Sequence, residues 1–397
     1  MTRPMRIAIV SETWLPQING VSRTLDQLAH YLAACGDQLL LLTPRYPQGI
    51  ALPPGSEAEC YPALALPFYR EVLLPVVTPR RLRRRLAAFA PDLIHIATEG
   101  PLGWAALQAA RRLALPVVSS YHTNFAQYLA SYRLAALEPL AWNYLRNFHN
   151  RTDLTLCPTP SIRQLLAERG FANLEVWPRG VDASHFHPRR RDHDLRRSLG
   201  IAAEEVVILY TGRLAAEKNL STLFAACRRL SGRYRLLVVG DGPQRSELER
   251  AALPGAVFTG YRQGEELARL YAASDIFAFP SCSETFGNVV LEALASGLPT
   301  VAFAVPGPQD IVLNGETGVL VQECSAHALA AALQLLVDDE DLRGRWGRAA
   351  RRYAEGQSWE DISRGVREHY RCLHARQGGR TPMQIESLHP SEKESQC

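Results

Sequence analysis

Short apolar runs alternate with amphipathic stretches along almost the whole chain, and this rhythm predicts strand–helix units stacked into a parallel sheet. In the first half the runs RIAIVSE (6–12), QLLLLTP (38–44), DLIHIAT (92–98), PVVSSYH (116–122) and LTLCPT (154–159) read as strands. The pattern restarts with VVILYTG (206–212), RLLVVGDG (235–242), AVFTGY (256–261), DIFAFPS (275–281), LPTVAF (298–303) and TGVLV (317–321). Between the two sets lies FHPRRRDHD (186–194), polar and charged as a linker would be. The expected fold class is therefore α/β: two doubly wound domains facing a cleft, with ligands at the carboxyl ends of the strands. The expected bounds are 1–185, a linker over 186–195, 196–358, and a last helix over 359–376 able to cross back to the first domain. The tail 377–397 holds too little apolar surface to order itself.

A length of 397 residues agrees with two cores rather than one. No run of about 18 apolar residues exists, so no membrane-spanning helix is expected. The opening MTRPMRIAIVSETWLP has an apolar run too short for a secretory signal and suits a first strand. Eight scattered cysteines without a C-x-x-C pair suggest reduced thiols in a cytosol. Charge is uneven: through Leu195 there are 21 basic and 15 acidic side chains, and afterwards 23 and 25. The basic excess centres on Arg80-Arg-Leu-Arg-Arg-Arg85 and Arg111-Arg112.

Of 44 basic side chains only Lys218 and Lys393 are lysines, which singles out the stretch GRLAAEKNL (212–220). Arg213 and Lys218 follow a strand and precede a helix, where free N–H groups favour an anion. Arg grips two phosphate oxygens at once, while Lys supplies a compact charge that can follow one oxygen. A solvated charge beside Glu217 is the plainer alternative for Lys218.

The stretch PSCSETFGNVVLEALASG (280–297) places Glu284 in a loop and Glu292 one turn beyond Asn288 on the helix that Phe286, Gly287 and Asn288 open. On one helix the two carboxylates would lie about 12 Å apart. With Glu284 in the loop they reach different parts of one extended ligand. Glu292 has apolar neighbours on both sides, so it either faces solvent or is buried with a partner. Gly20, after Asn19, opens a helix near an anion site. His122 ends a strand at the cleft, where it can bond a hydroxyl, share a proton or simply be a satisfied core histidine. Gly240-Asp-Gly242 lacks the third glycine of a dinucleotide fingerprint. Asp338-Asp-Glu-Asp341 reads as a solvated helix end.

In order, GRLAAEKNL, VVGDGP, FTGY and SETFGNVVLEALASGLP resemble the retaining glycosyltransferases of family 4, which have the GT-B fold of two Rossmann-like domains. Glu284-x7-Glu292 is similar to that family's E-x7-E signature, and the similarity runs over roughly 5–375. SETWLPQINGVSRTL and YHTNFAQY look most like the branch of GDP-mannose-dependent mannosyltransferases and diacylglycerol or sulfolipid glycosyltransferases.

The resemblance implies a nucleotide-sugar donor and no metal or other cofactor. Arg213 and Lys218 would hold the diphosphate, Glu292 the ribose and Glu284 the sugar, with Phe286, Gly287 and Asn288 giving backbone contacts. Gly20 would reach the phosphates, His122 the sugar, and Tyr261 with Arg262 the base. One departure stands out: many members have Gly-Gly where this chain has Asn19-Gly20.

A lipid or glycan acceptor is expected on the first domain, from a cytoplasmic enzyme that touches anionic membrane peripherally. The run 80–85 and the aromatic-rich 125–148 would make that contact, with Trp142, Tyr144 and Phe148 at headgroup level. A solvated helix face and an ordinary core helix explain the same residues. A GT-B phosphorylase would need a cofactor lysine, and Lys218 is already in the diphosphate motif. A nucleic-acid binder would need recognition motifs between the arginines, and an inactive relative would not need Arg213, Lys218, Glu284 and Glu292 together.

Overall fold

The computed structural model describes residues 3–66, 69–122, 135–251 and 253–378. The tail beyond 378 and the segment 123–134, which holds all of YHTNFAQY after its first two residues, lie outside the described residues.

Two parallel sheets account for both sets of apolar runs. In the first, β1 (Arg6–Val10), β2 (Gln38–Pro44), β3 (Glu57–Tyr61), β6 (Leu93–Ile96), β7 (Val117–Ser120), β8 (Leu154–Cys157) and β9 (Leu174–Val176) lie in the order β3-β2-β1-β6-β7-β8-β9. An antiparallel hairpin of β4 (Ala63–Leu66) and β5 (Tyr69–Pro75) stands apart. In the second, β10 (Val206–Thr211), β11 (Tyr234–Val239), β12 (Val257–Gly260), β13 (Ile276–Phe279), β14 (Thr300–Phe303) and β15 (Gly318–Val321) run β12-β11-β10-β13-β14-β15. The central strands are buried almost end to end because helices cover both faces, which is why they read as apolar runs.

The pattern did not reveal β3, β9 or the hairpin. β3 (EAECY) is a half-exposed edge strand and β9 has three residues, so neither carries a sustained apolar signal. The segment 186–194 is no free linker either. Its arginines fold onto the second sheet: Arg191 reaches Asp275 at 2.8 Å, and Arg196 on the next helix, His193–Ser198, meets the same carboxylate at 3.1 Å. Phe186 and Val181 already belong to the second core.

The chain crosses between the halves at two adjacent places. Val181 N donates to Gln357 O (3.0 Å), and a Cβ on Gly180 would lie 2.6 Å from the backbone nitrogen of Trp359. The last helix, Trp359–Gly378, then packs beside helix Gly20–Ala34, with Val366 and Tyr370 inside the first core. Arg367 fixes it by donating to both oxygens of buried Asp37, at 2.6 and 2.8 Å, while Asp37 also accepts from Met5 N (2.9 Å).

In each sheet the strand order reverses beside the first strand, between β1 and β6 and between β10 and β13. Loops after those strands diverge and open a crevice. The loops ending at Gly20, Lys218 and Glu284 all leave from these switch points.

Removing one partner of the Arg367–Asp37 pair leaves a buried charge uncompensated. Asp37→Ala is expected to cost about 3–5 kcal/mol in urea unfolding, and adding Arg367→Met should recover part of the loss.

Candidate functional site

The loop after β10 is built on close backbone contact. A Cβ on Gly240 would lie 1.9 Å from Gly212 O, so the chain after β11 presses directly on the chain after β10. Gly240 and Gly242 therefore buttress the Arg213 loop. Tyr210 Oη donates to Arg213 O at 2.9 Å. Residues Ala216–Lys218 make one tight turn, and Asn219, with φ 56°, turns the chain into helix Leu220–Cys227. Asn219 Nδ2 donates to Pro280 O (3.2 Å), tying this loop to the one after β13.

Lys218 and Glu284, from those two loops, form a direct ion pair. Their side chains are only 18% and 9% exposed, so the pair is shielded rather than solvated. Phe279 supports it from below, with Lys218 Nζ 5.9 Å from the ring centroid.

After Glu284, Phe286 enters the second core and Gly287, at φ 95°, caps helix Asn288–Ala295. Glu292 is buried on this helix. Tyr271 Oη donates to its carboxylate at 2.9 Å, and Arg23 Nη1 lies 3.8 Å away. Burial pushes the Glu292 carboxyl above its usual range, while Arg23 and the Tyr271 bond pull it back. Neither partner was visible in the sequence: Arg23 is one arginine among many, and Tyr271 comes from an amphipathic helix.

Across the cleft, Asn19 caps helix Gly20–Ala34 by accepting from Ser22 N at 2.9 Å, and Ser22 Oγ accepts from Asn19 N at 3.1 Å. A Cβ on Gly20 would lie 3.5 Å from Asn288 Nδ2. The first residues of helices 20–34 and 288–295 thus lie against each other across the cleft.

His122 follows β7 on the first domain's side. Its carbonyl accepts from Thr285 Oγ1 across the cleft at 2.9 Å. Arg179 Nη2 lies 3.0 Å from Nδ1 and Ser120 Oγ 2.9 Å from Nε2, so both ring nitrogens are occupied. Burial, with Arg179 alongside, holds the ring's pKa well below the ordinary histidine value. Arg179 is itself buried and donates also to the carbonyls of Trp177 and Pro178.

Tyr261 and Arg262 follow edge strand β12. Tyr261 is half exposed and Arg262 leans on Glu266 at 3.9 Å. Among the described residues, no three His, Cys, Asp or Glu side chains group as a metal site, and Asp339 of the acidic string caps helix Glu340–Glu355.

Two expected surface aromatics are core residues. Helix Glu138–His149 buries Trp142, Leu145 and Phe148, and leaves Tyr144 with Leu140 exposed. In the basic run, Arg81 and Arg85 pair with Glu57 and Glu59 of the neighbouring edge strand.

Residues 192–353 match the family model described as glycosyl transferases group 1, and residues 18–185 the one described as glycosyltransferase family 4. The chain is 37% identical, over 94% of its length and 98% of the relative's, to a GDP-mannose-dependent alpha-mannosyltransferase of Mycobacterium tuberculosis. It is 33% identical, over 92% of its length and 73% of the relative's, to the sulfoquinovosyl transferase SQD2 of Arabidopsis thaliana. Among solved structures, a sucrose-phosphate synthase from Thermosynechococcus elongatus is similar with a TM-score of 0.80 at 25% identity, over 94% of this chain and all of that one. The glycosyltransferase WaaG is similar with a TM-score of 0.70 at 20% identity, over 92% of this chain and 99% of that one.

One carboxylate beside the cleft has a consequence for pH. Glu12, after β1, accepts from Leu102 N (2.8 Å) and Gly103 N (3.1 Å), and burial pushes its pKa up to about 7. An acid with a raised folded-state pKa favours the folded state at low pH, and that contribution is lost as pH rises from its ordinary value to about 7. Wild-type stability should fall by about 3 kcal/mol over that interval from this group alone. Glu12→Gln should flatten that slope in urea melts at pH 5 and pH 7.5; equal slopes would refute the assignment.

Proposed function

Because the chain belongs to glycosyltransferase family 4, and is a glycosyltransferase with the two facing sheets of the GT-B fold, we propose that it moves mannose from GDP-mannose, with retention and without a metal, to a lipid or glycan acceptor. The donor choice is supported by three relatives, 34–37% identical, named GDP-mannose-dependent alpha-mannosyltransferase. The observation that carries the reading is the meeting of two helix N-termini beside Lys218, Glu284 and Glu292.

In this reading Arg213, Lys218 and the N–H groups from Gly20 hold the donor diphosphate. Glu292 takes the ribose hydroxyls, and Phe286, Gly287 and Asn288 contribute backbone contacts. Tyr261 and Arg262 lie against the base, and His122 against the sugar. Cleavage of the sugar–phosphate bond builds negative charge on the leaving diphosphate as the acceptor hydroxyl oxygen takes over the sugar carbon and gives its proton to the leaving phosphate oxygen. Lys218 then leaves Glu284 and follows that charge, while Glu284 turns to the sugar hydroxyls. One motion of the lysine thus readies two groups.

A UDP-sugar-dependent diacylglycerol glycosyltransferase is the second reading, favoured by the relatives named sulfoquinovosyl transferase and alpha-monoglucosyldiacylglycerol synthase. A thermal-shift panel of GDP, UDP, ADP and their sugar conjugates separates the two. At about a hundredfold excess over its dissociation constant the true donor adds about 2.7 kcal/mol of stability. Stabilisation by GDP-mannose alone is expected; stabilisation by UDP-sugars moves the donor assignment, and no shift with any nucleotide sinks both.

Lys218→Ala should lower kcat by about 10²–10³-fold, the usual loss of one preorganised donor at developing charge. Lys218→Arg should also lose turnover, because the longer planar group competes with Arg213; wild-type turnover in that variant would remove the proposed role.

Among the described residues no helix is long and apolar enough to cross a membrane. Peripheral contact with anionic lipid is proposed through Arg80, Arg83 and Arg84, the arginines of the basic run that form no ion pair among the described residues. Charge reversal of all three to Glu should abolish co-sedimentation with phosphatidylglycerol vesicles; undiminished binding would exclude this surface.

A further inference from the structure

A file of buried polar side chains runs from the last helix to the cleft. Tyr370 Oη lies 2.6 Å from His95 Nδ1, His95 Nε2 lies 2.8 Å from Ser120 Oγ, and Ser120 Oγ lies 2.9 Å from His122 Nε2. Tyr370, His95 and Ser120 are each no more than 1% exposed, so removing one member leaves a buried polar atom of its neighbour without its partner. Trp177 walls the file, with its ring 5.6 Å from both His95 and His122.

The end at the cleft has a fixed proton arrangement. Arg179 can only donate, so Nδ1 of His122 must accept. Kept neutral by burial, the ring carries its hydrogen on Nε2 and donates it to Ser120. Ser120 is oriented in turn by His95, and His95 Nδ1 has Tyr370 as its hydrogen-bond partner. A phenol inside an apolar cluster is costly without such a bond, and packing alone would be served equally well by phenylalanine.

We propose that Tyr370 is a positioning residue for His122, acting through His95 and Ser120, so that the returning C-terminal helix holds the His122–Thr285 contact of the cleft in place. The kinetic consequence rests on the glycosyl-transfer reading; the chemical consequence does not.

Selective 15N labelling of the histidines in the full chain tests the chemical one. In the wild type, His122 should show a protonated Nε2 and a bare Nδ1. Tyr370→Phe should move the ring-nitrogen shifts of both His95 and His122. A change confined to His95 would overturn the proposal. Ser120→Ala, which cuts the file in the middle, should reproduce the His122 change without altering the last helix, and serves if Tyr370→Phe folds poorly.

With an active donor in hand, Tyr370→Phe should lower kcat about tenfold with little change in donor KM, as small misplacements of a positioned group do. The same substitution should add nothing in a His122→Ala background. Additive losses would show that Tyr370 acts elsewhere and overturn the proposal. If no nucleotide sugar is turned over, the transfer reading fails, and the labelling result still decides on the file.

Discussion

Two helix N-termini that face each other repel, because each ends in unpaired N–H groups and carries a partial positive charge. The first residues of helices 20–34 and 288–295 touch across the cleft, and Lys218 is paired with Glu284 in the loop that leads into the second of these helices. Glu284 and Glu292 bring carboxylates in from the second domain, and Arg23 and Tyr271 supply Glu292 with partners. Further out, Asp310 of the second domain accepts from Ser161 N (3.0 Å) at the start of helix Pro160–Glu168, bridging the halves with a favourable charge–dipole contact. A diphosphate between the two helix ends would turn their repulsion into attraction, so the arrangement is better suited to holding an anion than to being left without one.

Much of the fold was legible because parallel strands buried on both faces cannot hide: VVILYT and QLLLLTP each hold an unbroken run of large apolar residues. What escaped lies at edges, where EAECY shows water half of its surface. That omission had a further effect, because Glu57 and Glu59 of this strand neutralise two arginines that look free in the sequence. The stretch 186–194 misled for the same reason. A polar run looks like a linker until its acidic partners, here Asp275 and Glu265, are brought beside it by the sheet.

At the site, local motifs were readable and long-range partners were not. Lys218 stands out against an arginine background, and Glu284 and Glu292 stand out by their spacing. The surroundings of His122 were invisible, since Arg179, Ser120, His95 and Tyr370 come from four separate elements and none carries a motif. For Trp142 and Phe148 aromatic character left headgroup contact and a core role equally open, and the helix period sets them in the buried stripe with Leu145.

The paired crossings at Gly180 and Trp359 make the second domain a contiguous insert within the first. During synthesis, at about 5–20 residues per second, the two domains therefore mature out of order. The insert has all of its strands once β15 has emerged, whereas the first domain, although made earlier, must wait for Val366, Arg367 and Tyr370. Until then the groove beside helix 20–34 stays open and Asp37 lacks its arginine. The half whose chain begins first is the half whose core is completed last, by the helix that carries Val366, Arg367 and Tyr370.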